Sequence, residues 1–503
     1  MRTYYIIMTF CLVHVFAWGQ LETVFEENFD DNRNGWFLDS KYGYSTQIAD
    51  GKLHMIQSGT PYTRNFTRNI FIDPGKDFVI GTKIKILKDD RGLNNGILWG
   101  YHGDSFYFFS ITNKGKFQIT YLNKDGTRGY LKEPTTSPHI QTGVAYNNIA
   151  VAKKGDKLYF FVNGQIIHEM LPVRFYGQLH GLVLASNEVE VDNFIVKTPN
   201  PKINLVDHPI NGLEKENLGP NINSYAGEIS PKISNDGTLL FVCRGNHRSN
   251  LGAKLNPNGR GDQDAWYAEK VGEEEWGAIK NMGRPINDVR QNAIASVSAD
   301  NNTLLINYDG REDPGLMISN RTATGWETPK RVNIKDFYNR NEDAEFTLGP
   351  TGKVLIFSVE RDDTYGEKDL YVSFRNTDGS WTKPKNLGNT INSFSTDFGP
   401  YLAADNTTLY FGSMGHPGYG SSDIFVSKRL DNTWTNWSVP KNLGPEINSK
   451  NWDAYYTITA SGEEAYLATS GSYGNTDIFR VKLKELIDEE SLPDPVVLIK
   501  GRV

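Results

Sequence analysis

The chain has 503 residues, a formal net charge of −7, and 38% hydrophobic and 12% aromatic residues. That length allows two or three domains with real cores, and the scattered Lys and Arg exclude the clustered basic footprint of a nucleic-acid binder. With 48 Gly and 22 Pro, the composition favours short strands and tight turns over long helices.

Met1-Arg2 opens the chain, followed by an apolar run from Tyr4 to Phe16 and then Ala17-Trp18-Gly19. A charged start, a short apolar stretch and small residues at the cut read as a secretory signal peptide, residues 1–19, removed before Gln20. The run is too short to span a bilayer, which takes about 20 apolar residues. The expectation is an exported protein, periplasmic, outer-membrane-associated or extracellular, with no transmembrane segment after cleavage. Cys243 then remains as the one cysteine, inside the apolar run Leu239–Val242. It reads as a small buried hydrophobe rather than half of a disulfide or a metal pair. Export without a disulfide framework points to a bacterial envelope.

Residues 20–198 show strand alternation without a repeat. Phe78 to Ile86 and Phe106 to Ile111 read as strands. Asn163-Gly164, between Leu158–Val162 and Gln165–Ile167, is a hairpin signal, because both residues tolerate positive φ. Val191 to Val196 closes the region. Short antiparallel strands at this spacing predict a β-sandwich. The hairpin and the Val-Asp-Asn-Phe closing strand resemble the laminin-G/concanavalin-A jelly-roll superfamily, which implies a jelly roll and a glycan-binding role. Glu26-Glu27 near the start and Asp192 near the end fall where first and last strands are neighbours. Some jelly-roll carbohydrate-binding domains hold calcium with acids at such places. Glu27 and Asp192 are thus candidate ligands of a structural calcium, which takes hard oxygen ligands; the alternative is a plain turn at Asp30–Gly35. Tyr42, Tyr44, Tyr101, Tyr107 and Tyr121 are candidates for stacking on sugar rings, against the ordinary role of strand aromatics in a core.

Pro199-Asn200-Pro201-Lys202 marks a linker over 199–204, and from 205 to 486 the chain repeats. Each unit has an inner strand, a turn rich in Asp, Asn or Gly, a second strand, a third opening on Asp, and a Trp before the fourth. Glu228, Asn292, Asp343, Asp397 and Asp453 hold the same position before the first strand. Asp264, Asp369, Asp423 and Asp477 open the third strand, and the second unit departs with Gly315-Leu316-Met317. Trp276, Trp326, Trp381 and Trp437 recur. The last unit has no Trp segment, but Asn217–Ser224 matches Asn442–Ser449 almost residue for residue. The N-terminal piece is thus placed to complete the last blade, giving five blades. A degenerate sixth between 244 and 290 is the alternative.

These units resemble the WD40-like propeller repeats of bacterial envelope proteins. The class includes the Tol-system periplasmic propeller and Bacteroidetes proteins that end in a peptidoglycan-binding domain. The family's Ser-Pro-Asp-Gly turn is eroded here to forms such as Ser234-Asn235-Asp236-Gly237. Residues 487–503 read as a linker and the first strand of a further β-domain, similar to the carboxypeptidase-regulatory-like fold. No peptidoglycan-binding domain is present in these residues.

The fold class expected is all-β: an antiparallel jelly-roll sandwich followed by a five-bladed β-propeller. The repeated position Glu228, Asn292, Asp343, Asp397 and Asp453 would ring one mouth of the channel as a cation or polar-ligand site. Alternatively each residue accepts backbone N–H bonds and fixes the turn into its own blade. The functional expectation is a non-enzymatic envelope scaffold that binds envelope proteins through the propeller and polysaccharide through the sandwich. The rival is a secreted glycoside hydrolase or a lectin.

Overall fold

The computed structural model describes residues 21–41, 43–58, 63–89, 94–103, 105–123, 125–207, 213–252, 262–272, 274–309, 315–341, 343–471, 475–483 and 493. They are all-β, in several sheets, with no helix among them. No helix of these residues is long and apolar enough to cross a membrane. The expected signal peptide, and the C-terminal strand apart from its flanking Pro493, lie outside the described residues. Two compact units divide the chain, Met1–Lys202 and Ile203–Val503.

In the first unit a nine-stranded and a six-stranded antiparallel sheet share one core. Ile80, Ile84, Phe160, Val191 and Phe194 come from the larger sheet; Trp99, Phe109, Ile119 and Leu182 come from the smaller. Phe109 meets Phe160 edge-on with ring centroids 5.2 Å apart, which interlocks the two layers. The period-2 pattern is clear in the central strand Glu188–Thr198. Val189 and Val191 face inward, a bulge at Val191/Asn193 shifts the phase, and Phe194 and Val196 face inward beyond it. Asn163 (φ 48°) and Gly164 (φ 80°) make the hairpin turn, joining strands Lys157–Val162 and Gln165–Met170.

The second unit contains five antiparallel sheets. Sheet I holds Gly227–Ile233, Leu239–Gly245, Gln263–Glu269 and Lys280–Asn281. Sheet II holds Gln291–Val297, Thr303–Asp309, Gly315–Thr322, Gly325–Trp326 and Lys330–Arg331. Sheet III holds Glu345–Leu348, Val354–Val359, Asp369–Phe374 and Lys385–Asn386. Sheet IV holds Asp397–Leu402, Thr408–Ser413, Asp423–Lys428 and Lys441–Asn442. In sheet V, Ala454–Ile458, Glu464–Ser470 and Thr476–Lys482 are followed by Lys215–Asn217, from the other end of the unit. Glu216 there lies opposite the buried Arg480, whose guanidinium it binds at 2.7 Å. Between 244 and 290, the described strand residues are the end of the second strand and the third and fourth strands of sheet I.

Each sheet is apolar on both faces, so each must bury both. Sheets I and II share Phe241, Ala265, Ile294 and Leu304. Sheets II and III meet around Leu305, Leu316, Phe357 and Trp381, and sheets III and IV around Val372, Phe411 and Trp437. Sheets IV and V share Tyr410, Ile424, Tyr456 and Leu467. Sheets V and I share Tyr466, Ile478, Leu240 and Trp276. The recurrent Trp is thus a wedge between neighbouring sheets. The turn after each first strand ends on a left-handed residue, Gly237, Asn301, Gly352, Asn406 or Gly462, which is why Gly and Asn alternate there.

Candidate functional site

The five acid-or-amide positions are held as follows. The Glu228 carboxylate accepts from the Ser224 backbone N–H and hydroxyl, and sits 2.7 Å from the Arg244 guanidinium. Asn292 accepts from the Asp288 N–H, and Asp397 from the Ser393 N–H at 2.6 Å and the Ser413 hydroxyl. Asp453 accepts from the N–H and hydroxyl of Ser449. In all four the donor lies four residues back, so the side chain closes the turn leading into its own strand. These four are buried; burial raises the Glu228 carboxyl above its usual value and the Asp397 carboxyl well above it. Asp343 differs. It is exposed, precedes strand Glu345–Leu348, and accepts the Asn339 side-chain amide on its backbone carbonyl.

A second repeated device was not evident as chemistry in the sequence. In the Asn-Leu-Gly-x-x-Ile-Asn segments, with Met for Leu at Met282, the second Asn grips one residue of the third strand on both backbone groups. Asn448 accepts the Ile424 N–H at 2.8 Å and donates to its carbonyl at 3.0 Å and to Asn442 Oδ1 at 2.9 Å. Asn392 on Leu370, Asn287 on Ala265 and Asn223 on Ile478 repeat the clasp. The first Asn then donates to the third-strand carboxylate: Asn281 to Asp264, Asn386 to Asp369 and Asn217 to Asp477. Sheet II carries Gly315, Arg331 and Phe337 at the three positions, so all members of the clasp are replaced together. Close approach also fixes glycines in these loops: a Cβ on Gly366 would lie 1.7 Å from the Ser395 carbonyl oxygen.

The first strands of all five sheets line one cavity of about 250 Å³. Pairing to the second strands aligns them. Lys232 lies opposite Phe241, Ser296 opposite Leu305, Thr347 opposite Ile356, Tyr401 opposite Tyr410 and Thr457 opposite Tyr466. These five occupy the same register position, and all line the cavity. Two residues before three of them, Ser230 (φ 53°), Gly399 (φ 56°) and Tyr455 (φ 58°) sit in β-bulges of sheets I, IV and V. Pro231 and Pro400 stand within two of these bulges, where no ladder N–H is needed. A left-handed Tyr is costly, and the strain aims attention at what Tyr455 does.

Tyr455 lines a second cavity of about 150 Å³ together with Ser230, Gln263, Gln291, Asp343 and Glu345. Glu345 beside it receives Lys368 Nζ on both oxygens at 3.0 and 3.1 Å. Lys232, 6% exposed, has Glu345 as its principal charged neighbour. Burial pushes its ammonium down from 10.5 to about 8. Two buried lysines, Lys232 and Lys368, are therefore set against one glutamate, and Lys368 takes both of its oxygens.

In the first unit, Glu27 and Asp192 lie on paired strands but serve separate partners. Glu27 accepts from the Phe29 N–H at 2.7 Å, Asn34 Nδ2 at 2.9 Å and Trp36 Nε1 at 2.7 Å. Asp192 is ion-paired with Lys83. With these donors in place the two carboxylates do not fit a calcium cage of six to eight oxygens, and no group of three His, Cys, Asp or Glu among the described residues is arranged for a metal. Glu27 instead pins the turn to the core through Trp36. Glu27→Gln, which sets an amide against the Trp36 and Asn34 donors, is expected to cost about 2 kcal/mol. Urea denaturation of the full chain checks it; a loss under about 0.5 kcal/mol would remove Glu27 from this role.

Of the candidate stacking tyrosines, Tyr42 lies outside the described residues, and Tyr107 is buried and stacked between Trp99 and Tyr176. The Arg64 guanidinium covers the Tyr44 ring at 4.3 Å. Tyr101 packs on Phe106, and Tyr121 borders the core.

No family model and no curated protein matches the chain. Among solved structures it is similar to the carbohydrate-binding module CBM66 from Bacillus subtilis, at 13% identity over 35% of this chain and 95% of that one, with a TM-score of 0.22. TolB from Acinetobacter baumannii is 10% identical over 78% of this chain and 80% of its own, with a TM-score of 0.32. The kappa-carrageenase from Pseudoalteromonas carrageenovora, solved with a carrageenan oligotetrasaccharide, is 13% identical over 37% of this chain and 98% of its own, with a TM-score of 0.25.

Proposed function

We propose that this chain is a non-enzymatic binding protein of the bacterial cell envelope. In this reading residues 20–198 are a jelly roll that binds glycan. Residues 205–486 are a closed five-bladed propeller whose loops present a protein-binding face and whose axis holds a polar ligand. The observation that carries it is the ring at one register position: Lys232, Ser296, Thr347, Tyr401 and Thr457 converge on one cavity. Residues that build a repeat are alike from copy to copy, as the clasping Asn are. Residues that differ at equivalent positions and share a cavity are not explained by the repeat and are where a grafted site belongs. Meanwhile the carboxyl groups of Glu228, Asp397 and Asp453 are taken up in fixed local bonds, which supports their role as struts more than as acids free to react.

The test is binding of the full chain to a panel of acidic and neutral polysaccharides, with capture from envelope extract in parallel. Saturable glycan binding without turnover is the expected result. Polysaccharide hydrolysis lost in Asp343→Ala or Asp397→Ala, with melting unchanged, would replace this reading by the hydrolase.

A further inference from the structure

The two buried lysines near Glu345 are treated differently by the fold. Lys368 is neutralised by Glu345 on both oxygens. Lys232 is nine-tenths buried and lines the larger cavity, and among the described residues no acceptor bonds its ammonium. An unpaired buried cation is expensive, and chains carry one where something outside the fold compensates it. Around it the lining is rich in hydroxyls, Ser296 from sheet II, Thr347 from sheet III, Tyr401 from sheet IV and the fully buried Thr457 from sheet V, with one carboxylate, Asp300. The Tyr401 hydroxyl is spent on the Ile458 carbonyl. The Asp300 carboxylate on that lining is held by local donors, the Ser298 hydroxyl and the backbone and side-chain amides of Asn302. Lys232 thus stands without a bound counter-charge among groups that match a polyhydroxylated ligand.

We propose that the Lys232 side of the larger cavity is an oxyanion subsite that takes the carboxylate of an acidic sugar, a uronate, with its ring hydroxyls against Ser296 and Thr347. The proposal rests on the reading of the axis as a ligand site and names that ligand's chemistry. The cavity's size suits a single sugar ring better than a chain, so a terminal or free uronate is the occupant argued for. A peptide C-terminus would also carry a carboxylate, but it would need extended backbone donors and acceptors that a hydroxyl ring does not offer.

The experiment titrates the full chain with galacturonate and glucuronate, with galactose and glucose as neutral parents, and with acetate and inorganic phosphate as bare anions. Uronate is expected to bind roughly tenfold or more tightly than its neutral parent, the range of one charge-assisted bond. Lys232→Met and Lys232→Gln should abolish that preference, while Lys232→Arg should keep it to within about threefold. Raising the pH through about 8 should weaken uronate binding as the ammonium is lost. The other titratable groups around it are Glu345, Lys368, Tyr455, Tyr401 and Asp300. Equal uronate affinity in wild type and Lys232→Met overturns the subsite and leaves the axial cavity as a ligand site. Binding of acetate or phosphate as tight as uronate overturns the sugar. Binding of none of these compounds overturns the subsite and also the axial-ligand reading. Neutral sugar bound as well as uronate overturns the subsite alone.

Discussion

Asn448→Ala is expected to cost about 3–5 kcal/mol, and Asn392→Ala about the same, whereas Asn333→Ala should fall within about 0.5 kcal/mol of wild type. Asn448 is 1% exposed, and its amide satisfies both backbone groups of Ile424 in the middle of sheet IV. Truncation leaves a buried N–H, a buried C=O and Asn442 Oδ1 without this partner. Each buried group left unsatisfied costs about 1–3 kcal/mol. Water cannot repay them easily, because Leu443 and Ile447 close the site in the same apolar cluster. Asn448→Asp should be no better: it keeps the acceptor for the Ile424 N–H but turns a carboxylate oxygen toward the Ile424 carbonyl. Asn333 sits in the corresponding segment of sheet II, exposed, and its own side chain takes no part in a clasp. Guanidinium titration of the full chain, followed by tryptophan fluorescence, reads Trp434 and Trp437 beside sheet IV. A loss below about 1 kcal/mol at Asn448 would mean that the clasp decorates the sheet rather than holding it.

Much of this organisation was legible in the sequence because it repeats. The match of Asn217–Ser224 to Asn442–Ser449 foretold that the N-terminal segment would sit where a fourth strand sits, and Lys215–Asn217 does pair with Thr476–Lys482. The Asn163-Gly164 turn was legible from two residues alone, since few others accept positive φ twice. What the repeats hid is direction. The residues from Glu228 to Asp453 recur in register, but only the fold shows that four of them reach back to a donor four residues earlier. Lys232 was hidden by the bulges. An extra residue at Ser230 breaks the two-residue alternation, so counting from Glu228 assigns the wrong face to everything after it. Alignment of the five first strands on their second-strand partners would have found it, as the lone charge among Ser, Thr and Tyr. In the first unit the smaller sheet is buried on both faces, with Leu98, Phe106 and Phe108 forming a cluster apart from the main core. Alternation there cannot distinguish an aromatic that packs from one that awaits a sugar.

The second large effect runs opposite in sign. Lys232→Met is expected to stabilise the protein by about 3 kcal/mol near neutral pH while removing the charge on which uronate recognition would depend. The buried ammonium has a folded value of about 8 against 10.5 for the free side chain. A base with a lowered folded value holds its proton less well in the folded state. Between about pH 8 and 10.5 the unfolded chain therefore binds more protons, and wild-type stability gains from raising the pH across that window. Below about pH 8 both states are protonated and the full penalty is felt. Methionine keeps an unbranched stem in the same space and carries no charge to desolvate. The gap between Lys232→Met and wild type should thus be widest below about pH 8 and should close toward pH 10.5, and denaturant midpoints of the two proteins at several pH values measure it. Saturating uronate should close the same gap at low pH by stabilising the wild type alone, because a ligand that binds only the folded state adds to its stability. A destabilised Lys232→Met, or a gap that does not change with pH, would show that the ammonium is already compensated within the fold. Lys232 would then be a structural lysine rather than one held ready for a ligand.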